Sequence, residues 1–233
     1  MPEQVDSSDD QARDQFAAIG LFIQNFENVV ATLRGECSRI LRGAQLGVSF
    51  GNPETLLVYL NITSLVFHHE TMTARPLLDI WRALVFEQTR GMLLLSTISE
   101  KGRSIATEIV TEIAKEFIDL VEARNRLIHA NWRIGFRLPH EDDLSKIHVE
   151  KYRVTKDGLQ QRGDLPQSFD ELMKLGNRAS KLLGKLGRFL QFFIYQPNQI
   201  ELVYSKTDGN WAFDRVKFDA ITKPEPSPAH SAD

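Results

Sequence analysis

The chain has 233 residues, 42% of them hydrophobic, which is enough for one compact domain with a sizeable core. A formal net charge of −3 excludes a uniformly basic nucleic-acid coat, so any site for a polyanion has to be a local patch. The single cysteine, Cys37, excludes an intrachain disulfide and fits a reducing compartment. The opening MPEQVDSSDDQARDQ is polar and lacks the apolar stretch of a signal peptide. Apolar runs such as GMLLLSTI fall short of the roughly 20 residues a bilayer requires. The expectation is a soluble, cytoplasmic protein with no membrane contact. Residues 1–11 and 218–233, the latter ending in KPEPSPAHSAD, read as disordered tails around a single domain over 12–217.

The first helix is expected from about Gln11 to Leu41, where Phe16, Ile19, Ile23, Phe26, Val30 and Leu33 recur at spacings of three and four. RGAQLGVSFGN is a glycine-punctuated loop. NPETLL then opens a helix, with Asn52 as N-cap and Pro53 at its first position, that ends near HHE. The next helix begins around Pro76, carries Leu77, Ile80, Trp81, Leu84, Val85 and Leu95, and stops near Lys101-Gly102. A central helix from about Arg103 to Asn131 has an apolar stripe of Ile105, Ile109, Ile113, Phe117, Leu120, Val121 and Ile128. After it the period changes. IHVEKYRVTKDGLQQRG alternates around a Lys-Asp-Gly turn and reads as a β-hairpin, with WRIGFRL as a third short strand. Ser168 and Glu171 form a capping box that opens the last long helix, which ends before Pro197. IELVY and WAFDRVKF read as extended. The fold class is mainly α, a helical bundle with a small β insertion at about 132–163, before the last long helix.

The chemistry concentrates in EARNRLIHANW, residues 122–132. Arg124 follows Leu120 by four residues and Val121 by three, so it continues the apolar stripe instead of leaving it. Relative to Arg124, an ideal helix places Ile128 at about 40°, Asn125 at about 100° and His129 at about 140°. A bare arginine in a stripe is costly unless a carboxylate or an anionic ligand meets it. Asn125 and His129 are i and i+4, hence neighbours able to steady one another or a substrate. Such a set suits RNA cleavage without a metal. A neutral imidazole takes the proton of a ribose 2′-OH, the alkoxide attacks its own phosphate, and a guanidinium binds the charge that grows on the phosphoryl oxygens. DNA, which lacks the 2′-OH, would be spared.

Arg124-Asn125-x-x-x-His129 resembles the signature of the HEPN superfamily, an arginine usually followed by asparagine, with a histidine several residues on. A long amphipathic helix leads into the motif and an aromatic, Trp132, follows it, as in that family. The resemblance covers about residues 11–196 in architecture, and its specific part is the motif. It implies a HEPN-like up-and-down bundle and a homodimer whose two motifs face each other across a shared cleft. In active members it implies a metal-independent endoribonuclease that leaves a cyclic phosphate, toxin-like or concerned with phage defence. Arg124, Asn125 and His129 would be catalytic, RNA the substrate, and an antitoxin or regulatory protein a further partner, with no cofactor and no metal. Two features depart from the family: Ala130 stands where glycine is common, and the β segment is no part of the minimal bundle.

Plainer readings stand beside these. Arg124 can form a structural salt bridge, for which Glu87 is the candidate acid and which would also orient the guanidinium for catalysis. His129 can be a helix-capping histidine. Arg126 is placed to touch phosphate, or simply to lie on a solvated face. His68-His69 has no third residue at ligand spacing. Arg178, Lys181, Lys185 and Arg188 form a basic stripe that either tracks an RNA backbone or is the wet face of its helix. Cys37 has no nearby base and reads as inert. The alternative function is a non-catalytic HEPN-like module that binds nucleotide, RNA or a partner protein.

Overall fold

In the computed structural model the described residues are 7–46, 73–89, 98–133, 148–150, 152–155, 158–161, 166, 168–195 and 199–222. Helix α1 spans Ser7–Leu46, α2 Ala74–Thr89 and α3 Glu100–Ile128. Strands β1 (Asn131–Arg133), β2 (His148–Glu150), β3 (Tyr152–Thr155) and β4 (Gly158–Gln161) precede helix α4 (Phe169–Tyr195). Then follow α5 (Ile200–Val203), β5 (Tyr204–Thr207), β6 (Asn210–Phe213) and α6 (Arg215–Thr222). Among the described residues the architecture is mostly helical, with three two-stranded antiparallel sheets, β1–β2, β3–β4 and β5–β6. The expected helix from Asn52 to Glu70 lies outside the described residues.

The core lies where α1, α2, α3 and α4 meet. Phe22, Leu77, Trp81, Phe117 and Phe189 are fully buried there. Phe26 stacks on Phe117 with ring centroids 5.8 Å apart, and Trp81 meets Phe189 edge-on at 6.3 Å. Helix α1 packs most extensively on α4. Part of Asp10–Leu41 is long and apolar enough, by length and composition, to cross a membrane. That goes beyond the short runs noted in the sequence. In the fold, this helix turns Phe22, Phe26, Val29, Val30 and Leu33 into the bundle. The buried stripe is shifted from the expected one. Phe16 is 62% exposed, because six residues before Phe22 is about 240° around the helix. The helix also begins at Ser7, inside the expected tail, with Arg13 paired to Asp10 and Gln15 already buried.

Lys101-Gly102 does not end a helix. Residues 98 and 99 are non-helical, and the Ser99 side chain accepts from the Gly102 N–H as the N-cap of α3. Gly102 is needed for close approach: a Cβ there would stand 2.9 Å from Ile98 Cγ2 and 3.1 Å from Ile200 Cγ2. Gly102→Leu is therefore expected to lower the unfolding free energy by about 1–3 kcal/mol, the usual cost of overpacking. A denaturant melt checks this, and an unchanged midpoint would show that α5 yields freely.

At its other end α3 stops three residues early. Asn131 belongs to β1, and Ile128 is 45% exposed instead of completing the stripe, while Ala123 and Leu127 are buried. The indole Nε1 of Trp132 donates at 2.8 Å to the Leu127 carbonyl, which also accepts from the Ala130 N–H at 3.2 Å, and so helps to close the last turn. The β segment behaves as expected in kind. β3 and β4 form a hairpin with Thr155 opposite Gly158, while β2 pairs with β1, Trp132 opposite Val149. The Ser168 hydroxyl caps α4 by accepting from the Glu171 N–H at 3.3 Å.

Two C-terminal expectations fail. IELVY is a short helix before it becomes a strand, because Ile200 and Val203, three apart, are both buried on the bundle. WAFDRVKF is a strand only to Phe213. Asp214 then accepts from the Lys217 N–H at 3.1 Å and caps α6, which occupies residues 218–222 of the expected tail. That N–H also holds the Asp214 carboxyl below its ordinary range. Arg215 pairs with Asp219 at 2.9 Å and Phe218 packs on Phe213, so these residues are ordered by contacts the sequence pattern hid.

Candidate functional site

The second half of α3 carries Arg124 and Asn125 to a cleft of about 420 Å³ between α1, the start of α2 and α3. Phe26, Val30 and Val121 supply apolar wall; Glu27, Arg34, Arg75, Arg124 and Asn125 supply the polar groups. Three guanidinium groups thus border one small space. Arg75 Nη2 is tied to Glu122 Oε1 at 2.8 Å, an exposed pair of the kind worth little.

Arg124 is one-third exposed. Its Nη2 donates to Glu27 Oε1 and its Nη1 to Asn125 Oδ1, both at 3.4 Å, the long end of a hydrogen bond. Its Nε is buried and has no partner among the described residues. A buried donor left unpaired costs about 1–3 kcal/mol. Among the described residues the guanidinium is held only by these two long contacts.

The acid that meets Arg124 is Glu27, not Glu87. Glu87 is twelve residues beyond Arg75 on α2, about 18 Å along the axis from the end that borders the cleft. Its half-buried side chain is therefore out of reach.

His129 is the C-cap of α3, and its backbone N–H donates to Asn125 O at 3.4 Å. The imidazole is exposed and makes no hydrogen bond or ion pair with the described residues. It does not line the cleft. The reason is the helix itself: five residues separate it from Arg124, about 140° around and 7.5 Å along. Arg126 is half-buried and also lies outside the cleft. Within one chain, then, Arg124 and Asn125 come together and His129 stands apart.

Sequence reasoning missed Glu27, Arg34 and Arg75. A signal existed for the first two, since Glu27, Val30 and Arg34 fall at i, i+3 and i+7 on a helix whose neighbouring positions are buried. None existed for Arg75, which only the tertiary fold brings to the same place.

The basic stripe of α4 is divided. Arg178 bonds Glu116 at 2.8 Å and Lys185 pairs with Glu112, which fixes α4 antiparallel to α3. Lys181 and Arg188 are exposed and have no ion pair among the described residues. Cys37 is fully buried, and burial, with Glu36 adding to it, pushes its thiol up to about 12. It is no nucleophile. His68 and His69 lie outside the described residues, among which no group of three His, Cys, Asp or Glu is placed to hold a metal. No protein-family model, curated protein or solved structure matches this chain.

Proposed function

We propose that the chain is a metal-independent endoribonuclease of HEPN type. The observation that carries this reading is the Arg124 guanidinium, one-third exposed on the wall of a cleft that Arg34 and Arg75 also line. A phosphate seated there would accept from the two terminal nitrogens together, the paired geometry that suits arginine to phosphoryl oxygens. Arg34 and Arg75 would hold the flanking backbone. Asn125 would fix the ribose or the phosphate from the neighbouring position. His129 would take the proton of the 2′-OH and return a proton to the leaving 5′-oxygen.

In one chain His129 lies outside the Arg124 cleft, about 140° around the helix from the arginine. The reading therefore requires two copies, related by a two-fold axis that brings the ends of both α3 helices together. Ile128, apolar and 45% exposed beside the histidine, suits such an interface. Light scattering is expected to give about twice the 26.6 kDa chain mass. A monomer at every accessible concentration would leave the site incomplete. The activity itself is tested by incubating the purified protein with end-labelled single-stranded RNA in excess EDTA, where cleavage is expected to continue undiminished.

The same geometry favours one second reading. His129 stands outside the cleft, so the cleft can bind RNA or a nucleotide without cutting anything. That module would bind labelled RNA, lose binding with Arg124→Ala, and show no cleavage.

A further inference from the structure

A second cleft, of about 460 Å³, lies between the outer face of α4 and the β5–β6 hairpin, and it shares no residue with the Arg124 cleft. Its helical wall carries Lys181, Gly184, Lys185 and Arg188; its hairpin wall carries Trp211 and Phe213. The volume is within the usual range for small-ligand sites.

The charges sort themselves by partner. Lys185 is neutralised by Glu112, whose carboxylate also accepts from the Trp211 backbone N–H at 3.2 Å. Lys181 and Arg188 have no such acid among the described residues. They are seven residues apart, so they project from one face about 10.5 Å apart along the axis. Gly184 lies midway between them, and a Cβ there would meet nothing within 4 Å. The result is two open cations on either side of a gap. Arg188 also acts electrostatically on Tyr204, whose hydroxyl burial drives up and whose ring meets Phe213 at 5.5 Å.

The aromatic wall is held rigidly. Trp211 Nε1 donates to Glu108 Oε2 at 3.0 Å, and Lys206 pairs with the same oxygen at 3.0 Å while standing 5.7 Å from the indole centroid. These two donors, Lys206 first, hold the Glu108 carboxyl below its ordinary range. A planar wall fixed beside two open cations matches a ligand with a flat ring at one end and a phosphate at the other.

We propose that this cleft binds a nucleoside monophosphate, its phosphate between Lys181 and Arg188 over Gly184 and its base against Trp211. A continuous RNA strand fits less well, because Arg178 and Lys185 are occupied by Glu116 and Glu112 and the stripe offers no unbroken run of cations. The inference does not rest on the nuclease reading and uses none of its residues.

Calorimetric titration of the full chain with AMP, adenosine, ribose 5-phosphate and inorganic phosphate tests it. AMP is expected to bind saturably below millimolar concentration, and each fragment much more weakly. Lys181→Ala and Arg188→Ala should each weaken AMP binding about tenfold or more, as loss of a charge-assisted hydrogen bond does. Gly184→Glu should abolish it by filling the gap with a carboxylate, while melting at or above the wild-type temperature, since glycine is the poorer helix former. No AMP binding at millimolar concentration, or AMP binding unchanged in all three variants, would overturn the proposal. So would a 2′-deoxy oligonucleotide whose affinity rises with its length and falls in the same variants, because that result would make the face a strand track.

Discussion

His129→Ala is expected to lower RNA cleavage by about 10²–10⁴-fold, the usual contribution of a positioned proton-transfer group. It should do so without harming the fold. The imidazole is exposed and makes no hydrogen bond or ion pair with the described residues, and surface substitutions of that kind change stability by roughly 0.5 kcal/mol or less. Initial rates and thermal melts on one preparation measure both effects. If the imidazole served the fold instead, melting would drop and the remaining folded protein would cleave normally. A variant with full activity removes His129 from the mechanism.

Arg124→Ala is expected to lower cleavage by about 10²–10³-fold, through loss of a charge-stabilising donor worth about 3–4 kcal/mol in the transition state. Lysine should restore little, because a point charge cannot reproduce the paired contact. The structural alternative can now be given a magnitude. The Arg124–Glu27 pair is long at 3.4 Å and its side chains are 33% and 48% exposed, so its loss should cost no more than about 1 kcal/mol. Removing Arg124 also removes the unsatisfied Nε, which offsets part of that cost. A large fall in melting temperature with normal specific activity would assign the arginine to structure. Normal melting with lost activity assigns it to the phosphate.

The contrast between these two residues shows what a sequence makes legible. Local chemistry can be read: Ser168 caps α4 because hydroxyl and backbone are three residues apart in any helix, and Arg124 stands out because it interrupts an apolar stripe. Phase is less secure. Phe16 and Ile128 fit an apolar spacing and are exposed, because a stripe drifts around a long helix and only tertiary packing decides where it is covered. Punctuation misleads when a residue has two uses. Gly102 reads as a stop yet sits in the first turn of α3, where its missing side chain admits Ile200. The identity of an acid partner was not legible at all. Glu27 is 97 residues from Arg124, and Glu87 looked suitable only because its neighbours are apolar. The α6 helix was hidden in the same way, since its cap, Asp214, sits in a run that alternates like a strand.

The chemical ends of the RNA fragments test the central claim most directly. Attack by a ribose 2′-oxygen leaves a 2′,3′-cyclic phosphate on one fragment and a 5′-hydroxyl on the other, and needs no metal. Mass spectrometry of a short RNA cleaved in excess EDTA is therefore predicted to show the cyclic phosphate with wild-type protein and intact RNA with His129→Ala. Fragments ending in 3′-hydroxyl and 5′-phosphate, or RNA left intact by the wild-type protein, would contradict it.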